Sequence, residues 1–598
     1  MSGGRVQALG HDREKAALRA ELRALVTGME RFAVAHAATV ALVHPGHHDD
    51  AVNVLHYLAL RQLDVRALQR RLADRGLSSL GRCEPHVLAT VEAVLAALDG
   101  HVPPDPRRFD EGRAALDANT DLLLGPRPRG RVPRIMVTLP SEAAADYALV
   151  RRLVARGMDV ARINGAHDGP EAWEAMAGNV HKAAIELGRA CRISVDLPGP
   201  KLRTGPLRPA PGVVRLRPAR DARGVAVSPA RARLSSATDD AAGLPVDAKW
   251  LSKRSIGDRI DLRDTRGAHR RLRVVDVPPG ACVVEAWDTT YLEAGTVLTC
   301  DRHSTVVGAL APVEQAHRLR PGDALVLTRD LAPADPWAPG QPGSASIGCT
   351  MPDVFDTVRV GHRVLLDDGR LSGVVETVGT DEIVVRVLVA SARGSSLRAE
   401  KGINLPDTEL DVPVISDGDT PLLELAAAHA DMVAVSFVRD EADVDAVLER
   451  VAGLGAQHLG LVIKIETAAA FSNLPEILLH AMRAERVGVM IARGDLAAEA
   501  GYERLAETQE EILWLCEAAH VPVVWATEVL DRLATTGHPT RAEVTDAAMA
   551  QRAECVMLNK GPHVDTAITV LDDILRRMAG HQRKKTALLR PLRSWIGG

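Results

Sequence analysis

Three apolar runs late in the chain each break off in charged or hydroxyl residues: LGLVIKIE (459–466), VGVMIARGD (487–495) and VPVVWATE (521–528). Each is short, β-branched and flanked by helix-patterned sequence, which predicts a strand buried on both faces. Their polar residues fall at the C-terminal ends: Lys464 and Glu466, Arg493 and Asp495, Thr527 and Glu528. Five further runs share the pattern: RIMVTLP (134–140), MDVARINGAH (158–167), CRISVDLPG (191–199), MVAVSFV (432–438) and CVMLNKG (555–561). Helical spacing marks 142–156, 170–188 and about 564–580. Eight strands alternating with helices is the number that closes a (β/α)8 barrel. In such a barrel the C-terminal strand ends meet at one rim, where active sites sit.

Three of these strands precede residues 206–400 and five follow. The intervening stretch is rich in Pro, Gly and short β-runs and has no good helix, so an all-β insertion after strand 3 is expected. It carries a weak repeat: Ile256-Gly-Asp-Arg-Ile-Asp-Leu-Arg-Asp264 resembles Val360-Gly-His-Arg-Val-Leu-Leu-Asp-Asp368, and Pro321-Gly-Asp-Ala-Leu-Val-Leu327 is a partial copy. Each reads as a turn leading into a strand, as in small β-barrels, and the repeat suggests duplication or an added β-module in an enlarged β-barrel-like lid. Residues 12–125 have helical spacing throughout. The cluster HPGHHDD (44–50) has the residue types of a metal site, but a loop with an Asp cap for the next helix is the expected reading. LGPRPRGRVPR (124–134) reads as a linker. The expected division is a helical domain of unassigned role (1–125), barrel strands 1–3 (126–205), the β insertion (206–400), barrel strands 4–8 (401–582) and a basic tail (583–598).

A net charge of −5 on 598 residues, with the basic residues scattered, does not favour nucleic-acid binding. Seven Cys stand singly with no CxxC pair, which suits a reducing cytoplasm and argues against a zinc ribbon. The N-terminus MSGGRVQALGHDREK has no apolar core of a secretory signal, and no apolar stretch reaches spanning length. A cytoplasmic protein with no membrane partner is expected. Of 73 basic residues only ten are Lys, so a retained Lys is informative: a compact ammonium does not replace a guanidinium fork.

If the barrel closes, its rim receives Arg162, Asn164 and His167 from strand 2 and Asp196, Lys201 and Arg203 from strand 3 and the turn after it. Strand 4 brings Ser436, strand 5 Lys464 and Glu466, strand 6 Arg493, Gly494 and Asp495, and strand 7 Thr527. Glu466 and Asp495, on adjacent strands, can share a hard divalent cation such as Mg2+. Several cations beside them suit a polyanionic substrate, and together these are the parts of phosphoryl transfer. Singly, each has a plain structural reading as a solvated rim residue, a Glu466–Arg493 ion pair or a Thr527 cap.

At these residues the chain resembles the pyruvate kinase family. The matching stretches are GMDVARINGAHDG, VDLPGPKLRTG, VLLDDG, KGINLP, VAVSFVR, VIKIE, VMIARGDL, PVVWATEVL and PTRAEVTDAA, in the family's order over roughly 134–580. The resemblance implies a glycolytic, cytoplasmic, Mg2+-dependent transferase, with Mn2+ an alternative ion, that moves phosphate from phosphoenolpyruvate to ADP and gives pyruvate and ATP. It implies that Lys464 stabilises the phosphoryl group in flight, that Glu466 and Asp495 ligate Mg2+, and that Arg162 holds the phosphate. It further implies that Gly494, Asp495 and Thr527 bind the carboxylate end of phosphoenolpyruvate, with Ser436 beside them and Thr527 near the proton delivered to the enolate. Asn164, His167, Arg203 and Lys401 would meet the nucleotide. A homo-oligomer is an option in this family.

The chain departs from the family pattern in several places. The usual Asn-Phe-Ser-His-Gly is Asn164-Gly165-Ala166-His167-Asp168, so the Ser that contacts K+ is Ala166. The usual Gly-Pro-Glu is Gly199-Pro200-Lys201, which in the family accompanies activity without K+; Lys201 with Asp196 would stand in for the monovalent ion. Strand 8 ends in Asn559-Lys560-Gly561-Pro562 rather than Ser-Gly-Glu-Thr. The chain stops near where the family's usual C-terminal α/β domain would begin, so no activation by fructose 1,6-bisphosphate is expected. These departures keep two alternatives open: the same barrel site acting on a different phosphorylated or carboxylated substrate, or a non-catalytic regulatory paralogue.

Overall fold

The computed structural model describes residues 2–101, 107–236, 243–410, 412–584 and 586–587. Of the expected basic tail at 583–598, only Arg583, Lys584, Thr586 and Ala587 lie within the described residues. The chain divides into two compact units, Met1–Lys201 with Asn404–Gly598, and Leu202–Ile403.

The first unit holds a closed barrel of eight parallel strands. They are β1 (Arg134–Thr138), β2 (Val160–Asn164), β3 (Arg192–Leu197), β4 (Met432–Val435), β5 (Gly460–Ile465), β6 (Val487–Ala492), β7 (Val523–Ala526) and β8 (Cys555–Leu558). β8 pairs back onto β1, with Met557 beside Met136, which closes the ring. The (β/α)8 expectation is thus met, with the β insertion after β3. Two-residue periodicity sorts each strand into layers. Met136, Val160, Met432, Val462, Met490, Val524 and Met557 form one apolar cluster. Two residues further along come Thr138, Arg162 and Lys464, so the barrel changes from apolar to ionic within one pleat.

The floor of the barrel is closed by the helical region. Leu123 and Leu124, at the end of helix Arg107–Leu124, are about 1% exposed and belong to the barrel's inner cluster. Gly460 and Gly488, near the starts of β5 and β6, make room for them: a Cβ at these positions would lie 2.3 and 2.5 Å from Leu123 methyl carbons. The segment read as a linker is also packed. Arg131 is 2% exposed and its guanidinium pairs with Asp159 at 2.6 Å and Asp572 at 2.8 Å.

The HPGHHDD cluster has a different role from the expected cap. Asp50 lies inside helix His48–Arg61, where its carboxylate meets His47 Nδ1 at 2.9 Å and His520 Nδ1 at 2.6 Å. Asn119 donates to the same carboxylate at 3.1 Å, and His520 Nε2 bonds the Pro85 carbonyl. Burial alone would raise the Asp50 pKa, but the two imidazoles outweigh it and the net shift is downward. This buried network pins the N-terminal helices to the loop ahead of β7. Among the described residues no group of three or more His, Cys, Asp and Glu has metal-holding geometry, and no helix is long and apolar enough to cross a membrane.

The second unit contains a seven-stranded sheet and a six-stranded sheet. Its only helices among the described residues are the four-residue turns Ala248–Leu251 and Val354–Thr357. The repeat has a structural basis. Gly257, Gly322 and Gly361 sit at φ of 99°, 93° and 91°, a left-handed conformation open to glycine. Each donates its N–H to a neighbouring strand, to the carbonyls of Val274, Val387 and Val375, and each acceptor residue's own N–H returns a bond to the residue after the glycine.

Leu123→Ala removes the floor while leaving the helix N-terminal to it intact. Denaturant unfolding of the full chain is expected to show a loss of about 2–5 kcal/mol. An unchanged midpoint and slope would mean the floor does not depend on this side chain.

Candidate active site

The polar layer at the C-terminal ends of the strands is a set of acids and cations in mutual contact. Asp196, at the end of β3, is 1% exposed and accepts from Arg162 Nε at 2.8 Å. Arg162 also donates to Thr138 Oγ1 of β1 at 2.9 Å, so its guanidinium is fixed from two strands. Lys464 Nζ, on β5, lies 2.9 Å from Glu466 Oε1 and 3.9 Å from Asp196 Oδ2, and donates to Ser436 Oγ at 2.7 Å. The Ser436 hydroxyl in turn donates to the Leu197 carbonyl at 2.7 Å. The other oxygen of Glu466 accepts from the Phe437 amide at 2.7 Å.

Glu466 has a shifted carboxyl. Full burial pushes its carboxyl pKa upward; Lys464 pulls against this, and the nearby charge of Asp495 adds to the rise. A buried carboxylate beside a second one is an arrangement that a hard divalent cation relieves. Asp196 Oδ1, also buried, has no hydrogen-bond partner. Two hard-oxygen donors just past the ends of adjacent strands and an unsatisfied acid oxygen nearby therefore suit Mg2+ in chemical type, with Glu466 and Asp495 as the residues that would hold it.

Lys201 departs from the expectation that paired it with Asp196. Its ammonium lies 3.0 and 3.2 Å from the two oxygens of Asp495 and 5.5 Å from the Phe437 ring centroid. Asp196 is engaged by Arg162 and Lys464 instead, because those side chains reach it from the flanking strands.

Strands β6 and β7 end in a tightly fixed corner. Arg493, which opens helix Arg493–Ala500, pairs with Asp546 at 2.5 Å, stacks 4.8 Å from the Trp525 ring and donates to the Ala526 carbonyl at 2.8 Å. It does not pair with Glu466. The Gly494 amide donates to Thr527 Oγ1 at 3.0 Å. Thr527, Glu528 and Leu530 have φ of 62°, 57° and 49°, and Phe437, which follows β4 and Ser436, has φ of 58°. Such left-handed non-glycine residues store strain, and they cluster at functional sites.

The remaining expected residues are placed as follows. Asn164 is beside Asp196 in the β2–β3 register, and its Oδ1 accepts from the Ala166 amide at 3.3 Å. His167 follows in the same loop, and its carbonyl accepts from the Trp173 indole at 2.8 Å. Arg203 and Lys401 belong to the second unit. There Arg203 donates to the Glu400 carbonyl at 3.0 Å, and Lys401 pairs with Asp367 at 2.9 Å. Three supporting residues escaped the sequence reading: Thr138, Asp546 and Glu499, which accepts from Asn404 at 3.0 Å. Thr138 carried a signal, since it is the hydroxyl at the end of β1, as Thr527 follows β7.

The fold and this rim define a (β/α)8 barrel protein with an ionic site at the C-terminal strand ends. The family description "Pyruvate kinase, barrel domain" matches residues 309–563. Pyruvate kinase PKLR of Rattus norvegicus is 36% identical over 210 residues, 35% of this chain and 35% of that protein. Pyruvate kinase of Mycobacterium tuberculosis is 32% identical over 272 residues, 43% of this chain and 54% of that protein. The chain thus spans a third to about half of the length of these curated relatives. A solved pyruvate kinase from Cryptosporidium parvum aligns over 77% of this chain and 72% of its own, with a TM-score of 0.51 and 22% identity, which supports the fold. From within residues 309–563 the chain is thus similar to the pyruvate kinase barrel domain.

Gly165, where the family pattern has Phe, has no room for a side chain. A Cβ there would lie 1.9 Å from Leu422 Cδ2 and 2.7 Å from the Asp196 carbonyl. Gly165→Ala must displace the β3 end, and thermal unfolding is expected to register about 1–3 kcal/mol of destabilisation. Unchanged stability would show that this loop is free to move.

Proposed function

We propose that the protein is a phosphotransferase that moves the phosphoryl group of phosphoenolpyruvate to ADP. The observation that carries the reading is the convergence of Lys464, Glu466, Asp495 and Thr527 on one rim, with Arg162 held beside them. In this reading Arg162, oriented by Asp196 and Thr138, binds the phosphate. Lys464 sits where negative charge builds as the bond from the enol oxygen to phosphorus breaks and a bond from an ADP β-phosphate oxygen forms. Mg2+, or Mn2+ in its place, would be held by Glu466 and Asp495 and would supply positive charge against the phosphoryl oxygens.

The Gly494 and Asp495 amides and Thr527 bind the carboxylate of phosphoenolpyruvate, with Ser436 fixing the Lys464 ammonium. Thr527 Oγ1 accepts from Gly494 in the present arrangement, so substrate replaces that bond. The enolate left behind takes a proton at its methylene carbon, on the side Thr527 faces. Asn164 and His167 contact the nucleotide from the barrel. Lys201 gives the site a resident cation on Asp495, which supports activity independent of K+. A second reading, a different phosphorylated or carboxylated substrate, is favoured by the closed-in Gly165 and by Gly561. A Cβ on Gly561 would lie 2.4 Å from the Ala534 carbonyl. The pocket edges at β2 and β8 therefore differ from the family pattern.

A coupled assay for pyruvate from phosphoenolpyruvate, ADP and Mg2+ is expected to give turnover. Lys464→Ala should lower kcat by at least roughly 10², about 3–4 kcal/mol. Binding of phosphoenolpyruvate without turnover moves the reading to the second substrate class. Exchanging a bulky organic cation for K+ should leave the rate unchanged; strong stimulation would refute the role given to Lys201.

A further inference from the structure

Away from the rim, a cavity of about 100 Å³ lies where five segments of the first unit meet. Helix Arg107–Leu124, the turn Glu84–His86, helix Leu505–Ala518, the turn Ala550–Arg552 and the strand Gln582–Arg583 supply its walls. The walls are held close: a Cβ on Gly112 would lie 1.8 Å from the Pro85 carbonyl oxygen. Most polar atoms of the wall's acids are engaged, although Glu84 Oε2 accepts no hydrogen bond. Asp117 pairs with Arg583 at 2.7 Å, Glu554 pairs with Lys584, and Glu84 and Glu517 have partners of their own.

The cations are not all engaged. Arg82 and Arg113 line the cavity, are exposed, and meet no acid among the described residues. Deeper in, Arg552 is 8% exposed; its terminal nitrogens bind Glu510, but its Nε has no partner. Beside it Gln551 is 4% exposed, and its Oε1 has no partner either. Burying an unpaired donor and an unpaired acceptor costs free energy that a ligand would recover.

We propose that this cavity binds a small oxyanion that also carries a hydrogen-bond donor, such as hydrogen phosphate. The anionic oxygens meet Arg82, Arg113 and Arg552 Nε, and the protonated oxygen donates to Gln551 Oε1. The ligand bridges the helix that bears Leu123 to the barrel itself, so binding stabilises the seating of the barrel floor.

The test is thermal unfolding of the full chain in inorganic phosphate, sulfate or chloride at matched ionic strength. Sulfate has the same shape but no proton to donate near pH 7. Phosphate is expected to raise the midpoint saturably, by roughly 2 °C or more, and to exceed sulfate. The paired change Arg82→Ala and Arg113→Ala, at two exposed positions, should remove the shift. Gln551→Leu should make phosphate and sulfate equal. The shift should persist in Arg162→Ala, where phosphate binding at the barrel rim is weakened. An equal shift in the Arg82/Arg113 variant, a shift lost in Arg162→Ala, or a phosphate preference kept in Gln551→Leu each overturns the proposal.

Discussion

The rim depends on one electrostatic constraint: three carboxylates are gathered at the top of an apolar barrel, each set against a cation. Asp196, Glu466 and Asp495 are matched by Arg162, Lys464 and Lys201. The cost of burying such charges is several kcal/mol each, recovered only when partners and hydrogen bonds are in place. That requirement fixes much else. It sets the Ser436 hydroxyl between Lys464 and the Leu197 carbonyl. It also binds the Phe437 amide to Glu466, at a residue held in left-handed conformation. The pairing is near balance, and the upward shift of Glu466 marks where it is least complete.

The barrel was readable because its strands are short, apolar on both faces and polar at one end, a pattern that few other folds share. The rim residues were readable for the same reason: period two carries Val462 in the core into Lys464 and Glu466 above it. What escaped the reading is what depends on partners far apart in sequence. Nothing local told that Lys201 would face Asp495 rather than Asp196, a choice made by the paths of two loops. Asp546 stands in an ordinary helical stretch and is a site residue only because Arg493 turns towards it. Asp50 had the composition of a cap, and its true partner, His520, is 470 residues away.

The inserted unit gives a converse example. Its repeat was weak as sequence, yet three of its glycines perform the same act, turning the chain so that two bonds join it to the next strand. Only the turn is preserved, because the left-handed glycine is the part that sterics leave no choice about. The strand residues after it need only be apolar on alternate positions, and they differ from copy to copy.

The floor formed by Leu123 bears on where the barrel begins as an independent object. Composition changes near residue 125, and a clone designed on that change would start just past the plug. It would carry Gly460 and Gly488 facing an empty hollow, because those glycines were fitted to a side chain from outside the eight strands. The minimal foldable piece therefore reaches back through helix Arg107–Leu124. Since Asn119 and Asp50 tie that helix to helix His48–Arg61, the practical boundary of the barrel lies within the helical region and not at its end.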